Sequence, residues 1–459
     1  MSPKRHDVDG SFAVGSKHIA HVQRLDASAA AIALTETGRK VRVPRGVPGD
    51  TVQVEIVARG RKEIWTRLLR IDTPSKDRID APCKAIDRCG LCPWQNLKYR
   101  EQLSSKGRIL RELIHHQPAF ASVPVHDPVG ISSPLGYRTK VQMPAGGLPG
   151  ALKLGFYAPR SHDFVAIQDC VVQHPVAEHV RHRVIGVLNR HQIAPYNEQT
   201  HSGDLRTVLV RVAEGTGQVA VVVVVRSYES VDWALLANEL VAIEDVTGVW
   251  ANENSGTGNA VLGPRTVHLG GARRLEDRIA GVTLQRTPTS FFQTNHRATE
   301  LLVRTVSQMM PTAINTLLDL YGGGGLFSAM LADRTNTVHL IESNPDALAS
   351  AKATLNDRPL QSATMHLGTA EDKLRHLLVE KTQVDAIVAD PPRAGMSPDV
   401  IQSIHALDPK ALVVVSCHPK RFVRDLAALQ STGYRLREVR SVDMFPHTHH
   451  LEAVGLLTR

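Results

Sequence analysis

Between residues 13 and 72 apolar and polar positions alternate in short runs. VRVPRGVPGDTVQVEIV keeps period two on both sides of Pro48-Gly49-Asp50, and IWTRLLRI follows, a pattern that predicts short strands closed by turns into a small OB-like β-barrel. A turn-rich stretch, DTPSKDRIDAP, leads to three cysteines and then to a helical pattern over about 20 residues from Trp94. Residues 73–285 are mainly strand-like after Gly136, with YRTKVQM, LKLGFYA, DFVAIQDC, RTVLVRVA and QVAVVVVVR separated by helical patterns, which predicts an α+β central domain. From residue 286 to 459 strand and helix patterns alternate. NTLLDLY, NTVHLIE, ATMHL, VDAIVAD and ALVVVSC are followed by YRLREVRSVDMF and LEAVGLLT around a turn with Pro446. Such alternation predicts a Rossmann-like α/β domain with a mostly parallel sheet, right-handed crossovers and an antiparallel edge.

Composition narrows the picture. At 459 residues, 42% hydrophobic and 22% charged, the chain is multidomain and is neither disordered nor fibrous. Fifty-four Lys and Arg face 45 Asp and Glu; residues 1–120 hold 22 and 13 of these (22 − 13 = 9), so the remaining 32 of each cancel. The whole excess of +9 is thus N-terminal, where Arg42, Arg45, Arg59, Arg61, Lys62, Arg67 and Arg70 cluster in the predicted barrel. A basic barrel face suits RNA, although a solvated surface explains a charge run equally well when taken alone. The longest apolar stretch, Val219–Val225, is far shorter than a membrane span, and MSPKRHDVDG carries no apolar signal core. Five cysteines are too few for a disulfide-stapled secreted protein. The expectation is a soluble protein of a reducing cytoplasm, with no membrane partner and no protein partner in evidence.

In an open α/β sheet, ligands sit beyond the carboxyl ends of the strands. Tyr321 with Gly322–Gly325, Glu342, Asp390-Pro391-Pro392-Arg393 and Ser416-Cys417 all fall at predicted strand ends. The glycine run lets backbone amides approach a ligand, and Glu342 is placed for the ribose hydroxyls of a nucleoside cofactor. A nicotinamide dinucleotide needs a further glycine where this chain has Leu326-Phe327-Ser328. Two prolines give Asp390 a rigid exit from its strand. His418, Lys420 and Arg421 directly after Cys417 favour a thiolate there. Cys83, Cys89 and Cys92 are spaced C-x5-C-x2-C, and Cys170 ends the predicted strand DFVAIQDC. Three thiols this close signal metal, with a fourth completing the set. Spacing alone leaves zinc and a [4Fe-4S] cluster both open.

Taken in order, these segments resemble the RNA uracil-5-methyltransferases, specifically the TRAM-domain, cluster-containing branch that modifies ribosomal RNA. GSKHIAHV with VRVPRGVPGDTVQVEIV is similar to a TRAM barrel, and CKAIDRCGLCPWQNL to the family's iron-sulfur motif. SFFQTN, LLDLYGGGGLFS, IESNPDAL, VADPPRAGM, VVVSCHP and VDMFPHTHHLEAV match its methyltransferase motifs. The resemblance implies a TRAM barrel (13–72), a central domain with the cluster cysteines (73–285) and a class I S-adenosylmethionine-dependent methyltransferase domain (286–459). It implies a [4Fe-4S] cluster on Cys83, Cys89, Cys92 and Cys170. S-adenosylmethionine would be contacted by Gln293, Tyr321, Gly323, Gly325, Glu342 and Asp390, with Cys417 the nucleophile and Glu452 the base. The chain departs from most relatives at Gly322, where they have Cys, and at His418, where they have Asn.

Uracil C5 is a poor nucleophile, and thiolate addition to C6 gives an enolate that takes the methyl group there. Both ring faces must be reached, so the uridine is expected to be flipped out or to lie in a loop, with Phe291 and Phe292 as stacking partners or core residues and His447, His449 and His450 as helpers of the base or plain surface residues. The expected substrate is 23S rRNA. Transfer RNA is the first alternative; an RNA cytosine-5-methyltransferase or a non-catalytic RNA-binding protein comes after it.

Overall fold

The computed structural model describes residues 12–459 apart from 62, 160 and 357, so Lys62 lies outside the described residues. The chain divides into two compact units. The first holds the described residues up to Ile109 together with Phe445–His450, and the second holds Leu110–Met444 with Leu451–Arg459.

In the first unit, β1 (Lys17–Arg24), β2 (Ala30–Thr35), β3 (Lys40–Pro44), β4 (Thr51–Arg59) and β5 (Ile64–Thr73) close into a barrel in the order β1-β2-β3-β5-β4. Period-two alternation aims Ala20, Val22, Val41, Val43, Val52, Val54 and Ile56 inward, and full burial of each valine or isoleucine is worth roughly 1.5–3 kcal/mol. Four of the six arginines that cluster in the barrel sequence are partnered by acids of their own unit. Arg42 is buried and donates to Glu63 Oε1 at 2.6 Å and to Asp26. Arg45 pairs with Asp87, Arg67 with Glu55 at 2.6 Å and Arg70 with Asp72 at 2.6 Å. Residues 13–72 still hold 11 Lys and Arg against 6 Asp and Glu, and exposed Arg59 and Arg61 have no ion pair among the described residues.

A short helix α1 (Ile86–Cys89) and a long helix α2 (Tyr99–His115) follow. The predicted helix from Trp94 is thus cut short: Trp94 to Lys98 form turns, in which Gln95 and Leu97 donate to the carbonyls of Cys92 and Trp94.

In the second unit, β6 (Lys140–Leu148), β7 (Ala151–Tyr157), β8 (Phe164–Ala166), β9 (Leu205–Ala213), β10 (Gln218–Val225), β11 (Val246–Glu253) and β12 (Arg265–Gly271) form one sheet, ordered β12-β11-β10-β9-β6-β7-β8. Strand β8 stops at Ala166, so Cys170 lies in the following loop and does not end a strand as predicted. A hairpin, β13 (Leu275–Ile279) and β14 (Val282–Arg286), leads to the final sheet.

That sheet comprises β15 (Ile314–Leu320), β16 (Thr335–Glu342), β17 (Ser362–Leu367), β18 (Ala386–Ala389), β19 (Ala411–Ser416), β20 (Arg435–Val442) and β21 (Glu452–Thr458), in the order β17-β16-β15-β18-β19-β21-β20. Five strands are parallel, and β21 enters antiparallel between β19 and β20. Helices α5 (His296–Met309), α6 (Leu326–Leu331), α7 (Pro345–Leu355), α8 (Ala370–Val379), α9 (Pro398–Leu407) and α10 (Pro419–Ser431) accompany it, α3 (Pro175–Arg190) and α4 (Trp233–Val241) having come earlier. Strands such as AIVA and ALVVVS are apolar throughout because both faces are covered. Leu318, Leu320, Ile387, Ala389, Leu412 and Val414 make the core of one face with Leu374, Ile404 and Phe422 from the helices. No helix among the described residues is long and apolar enough to cross a membrane.

Candidate active site

Strand order reverses between β15 and β18, where a ligand crevice belongs. Tyr321 follows β15 directly and sits at φ +64°, the left-handed region that costs a non-glycine residue of order 1–3 kcal/mol. Gly323 (φ +53°) and Gly325 (φ +78°) continue the bend before α6. Gly322 serves space instead of angle: a Cβ there would meet Leu340 Cγ at 2.6 Å. Any side chain there would need Leu340 to move.

Glu342 ends β16. Its Oε2 accepts from Gly323 N–H at 3.0 Å and its Oε1 from Asn344 N–H at 2.7 Å. Two amides thus fix the carboxylate against the glycine turn, each oxygen keeping a lone pair for a ribose hydroxyl. Tyr321, Gly323, Phe292, Gln293 and Asp390 line one cleft of about 620 Å³, part of it open to solvent, within the range of small-molecule sites. Gly325 is the residue before α6 and shapes the loop, while half-buried Glu342 reaches the edge of the cleft through its bond to the lining residue Gly323.

Asp390 follows β18, and Cys417 follows β19. Glu452 opens β21, whose register sets Ala453 across from Ser416, the residue before Cys417. The charges of Glu452, Asp390 and Arg393 all act on the Cys417 thiol. Burial pushes the Cys417 thiol up, Glu452 and Asp390 add to that, and a hydrogen bond from Arg393 works the other way. The predicted help from His418, Lys420 and Arg421 is absent from these influences. The cation that acts is Arg393, and the His418 ring instead accepts from Arg421 N–H as the cap of α10. Burial and Asp390 hold the Glu452 carboxyl well above its ordinary range, against Arg393. Asp390 is pushed up to about 7 by burial and by Asp319. Asp319, which sequence reasoning passed over, is fully buried behind the site and is pushed up to about 6 by burial, although Ser328 donates to it at 2.6 Å.

Phe291 is 74% exposed at the cleft mouth, ruling out core packing for that ring, while Phe292 is half-buried under the Arg286 guanidinium. His447 is buried in the first unit, where its backbone N–H donates to Gln102 Oε1 at 2.7 Å, its ring Nδ1 lies 3.1 Å from Gln102 Nε2 and its carbonyl accepts from Trp94 N–H at 3.0 Å.

Cys83, Cys89 and Cys92 belong to the first unit and Cys170 to the second; all are half-buried free thiols. Cys83 N–H donates to Gln95 Oε1 at 3.2 Å, and α1 winds Cys89 back toward it before Gly90 turns left-handed. Burial raises the Cys89 thiol, and the charge of Cys83 adds to the effect. Thiols are the donor type that a thiophilic metal centre takes. Cys170 N–H donates to Glu178 Oε2 at 3.1 Å. Asp169, Glu178 and His182 also converge, but Arg181 occupies Glu178 at 2.8 Å.

A strand order with its crevice at the β15/β18 switch, a carboxylate on a glycine turn, and no dinucleotide fingerprint define a class I S-adenosylmethionine-dependent methyltransferase fold. Residues 274–459 match the family model of the tRNA (uracil-5-)-methyltransferases. An uncharacterized RNA methyltransferase of Bacillus cereus is 32% identical over 424 residues, 92% of each chain, and one of Gloeobacter violaceus is 33% identical over 453 residues, 98% of each. The crystal structure of Pyrococcus abyssi tRNA (uracil-54, C5)-methyltransferase in complex with S-adenosyl-L-homocysteine superposes with a TM-score of 0.76 at 25% identity, covering 96% of this chain and 100% of that one. The chain belongs to the RNA uracil-5-methyltransferase family and is an S-adenosylmethionine-dependent RNA methyltransferase.

Proposed function

We propose that the protein methylates C5 of a uridine in RNA through a covalent bond between Cys417 and C6 of the base. The observation that carries this reading is the register that sets Ala453 across from Ser416, which brings Glu452 and Cys417, each one residue away, within mutual influence together with Arg393 and Asp390. Arg393 favours loss of the thiol proton, and the thiolate adds to C6. C5 then attacks the sulfonium methyl of S-adenosylmethionine, leaving S-adenosylhomocysteine. The Glu452 carboxylate takes the C5 proton, and elimination restores the double bond and frees Cys417. Its raised affinity for a proton makes Glu452 a stronger base than an ordinary carboxylate once ionised. Gln293, Tyr321 and Asp390 line the space for the cofactor, Gly323 and Gly325 shape its turn, and Glu342 accepts the ribose hydroxyls. Exposed Phe291 stacks on the flipped base. RNA containing 5-fluorouridine tests the scheme, because fluorine cannot leave as a proton. Wild type should form a covalent adduct with S-adenosylmethionine present, and no adduct under conditions where RNA binds would end the proposal.

The TRAM-like barrel and the cysteine motif support 23S rRNA as substrate in the cytoplasm. The Pyrococcus neighbour acts on tRNA, which supports that alternative equally. Mapping the 5-methyluridines lost on deletion separates the two, and mass spectrometry of the product base excludes or establishes cytosine. Cys83, Cys89 and Cys92, with Cys170 as the fourth ligand the resemblance implies, would hold a [4Fe-4S] cluster. When bound it would order its ligands without supplying electrons to methyl transfer. Protein purified without oxygen should be brown and contain iron and sulfide; a colourless protein with stoichiometric zinc would replace that assignment.

A further inference from the structure

Beside the cofactor cleft lies a second pocket whose walls come from the central sheet and the β13–β14 hairpin. Lys140 on β6 and Arg211 on β9 are directly opposed in the antiparallel register. Both line this pocket with Arg286 at the end of β14, Asp277 of β13, Phe292 and Gln293. Arg211 and Arg286 are each only 6% exposed. The Nε and one terminal nitrogen of each guanidinium have no hydrogen-bond acceptor.

Asp277 is the one carboxylate among the residues that line this pocket. Asp277 Oδ2 is 3.4 Å from Arg286, and its Oδ1 accepts from Gly215 N–H at 3.0 Å and lies 3.6 Å from His296 Nδ1. No ion pair is recorded for Arg211 or Lys140 among the described residues. Burial without a counter-charge pushes Arg211 down to about 10 and, with Arg211 and Arg138 nearby, pushes Lys140 down to about 8. Buried guanidinium groups with unmet N–H groups are costly, and a bound anion removes the cost. Paired planar guanidinium forks match the oxygens of a phosphate.

We infer that this pocket binds a backbone phosphodiester of the RNA next to the target nucleotide. The inference rests on RNA being the substrate, as proposed above. The cofactor crevice is built from the strand ends of the final sheet, whereas Lys140 and Arg211 stand on the other sheet, so the anion comes from the substrate side. Phe292, Gln293 and Arg286 line both spaces. A nucleotide entering the crevice carries its backbone past that shared wall, and the pocket fixes the phosphate while the base is turned to Cys417.

The test compares wild type with Lys140→Gln and Arg211→Met, using a short fluorescein-labelled oligouridylate, S-adenosylhomocysteine calorimetry, and methyl transfer to bulk bacterial RNA. Lys140→Gln should weaken oligouridylate binding about tenfold. It should also flatten the slope of log affinity against log salt by about 0.7, one phosphate contact on a single strand. S-adenosylhomocysteine affinity should stay within about twofold, and the loss in methyl transfer should appear in KM for RNA. Arg211→Met should act in the same direction, and if it fails to fold, the half-buried Lys140 decides alone. Wild-type RNA affinity and salt slope in Lys140→Gln would overturn the inference. So would a loss of S-adenosylhomocysteine binding with RNA binding intact, which would assign the pocket to the cofactor. If wild type transfers no methyl group to RNA while the variant still loses oligouridylate binding, the functional reading falls and the anion site stands.

Discussion

The barrel and the crevice at the ends of β15 to β21 treat charge in opposite ways. In the barrel, Arg42 is buried only with Asp26 and Glu63 in its grip, and Arg45, Arg67 and Arg70 each face an acid. In the crevice, buried Asp319 and Glu452 crowd half-buried Asp390, Arg393 opposes them at Glu452, and all three carboxyls are pushed up. Paired charge of the first kind holds a fold together, while unneutralised buried charge of the second kind is kept for chemistry. The cation pocket around Arg211 is the same signature with the sign reversed.

The largest effect that sharpens this contrast is Cys417→Ala. Methyl transfer should fall by about 10⁴-fold or more and the 5-fluorouridine adduct should vanish, with S-adenosylhomocysteine affinity preserved by calorimetry. Glu452→Gln should separate the half-reactions: single-turnover methyl transfer persists, while release of methylated RNA slows by about 10²–10⁴-fold, seen as RNA trapped on the protein in denaturing gels. The pH profile comes next. Both Cys417 and Glu452 must be ionised and both are raised, so kcat/KM should climb through neutrality into the alkaline range; a profile flat from pH 6 upward would contradict the burial assigned to them.

The same carboxyls set a stability trend. Asp390 binds its proton more tightly folded, at about 7, than unfolded, at 3.8. Its contribution is therefore complete below about pH 4 and is lost as pH rises toward 7. Asp390→Asn should disable the enzyme yet raise Tm at pH 8 relative to wild type, by an amount corresponding to about 1–3 kcal/mol. In the barrel the sign is opposite. Arg42→Met strands Asp26 and Glu63 and should cost about 1–3 kcal/mol in urea unfolding, reduced from a fully buried pair because Glu63 is 43% exposed. Arg67→Gln, at a surface pair, should cost less than about 1 kcal/mol.

Much of this was legible in the sequence because β15, β16, β18 and β19 are continuous apolar runs whose ends are marked by glycine, glutamate, Asp-Pro-Pro and Ser-Cys. Period and punctuation located the strand ends, and strand ends located the crevice. Glu452 carried no such mark. Its position depends on β21 passing between β19 and β20, a pairing across 35 residues of chain that no local pattern encodes. Arg393 stood inside a recognised motif, but its contact with Cys417 is tertiary, and the adjacent His418, Lys420 and Arg421 drew attention through proximity alone. Lys140, Arg211 and Arg286 were hidden because each reads as an ordinary polar position of a strand. Only the fold sets them around one pocket.

The placement of β21 also orders events during synthesis. Cys417 is made 35 residues before Glu452, and the gap between β19 and β20 is filled only when β21 follows. On the proposed mechanism a sheet without β21 lacks the group that would release Cys417, so turnover would await the completed sheet.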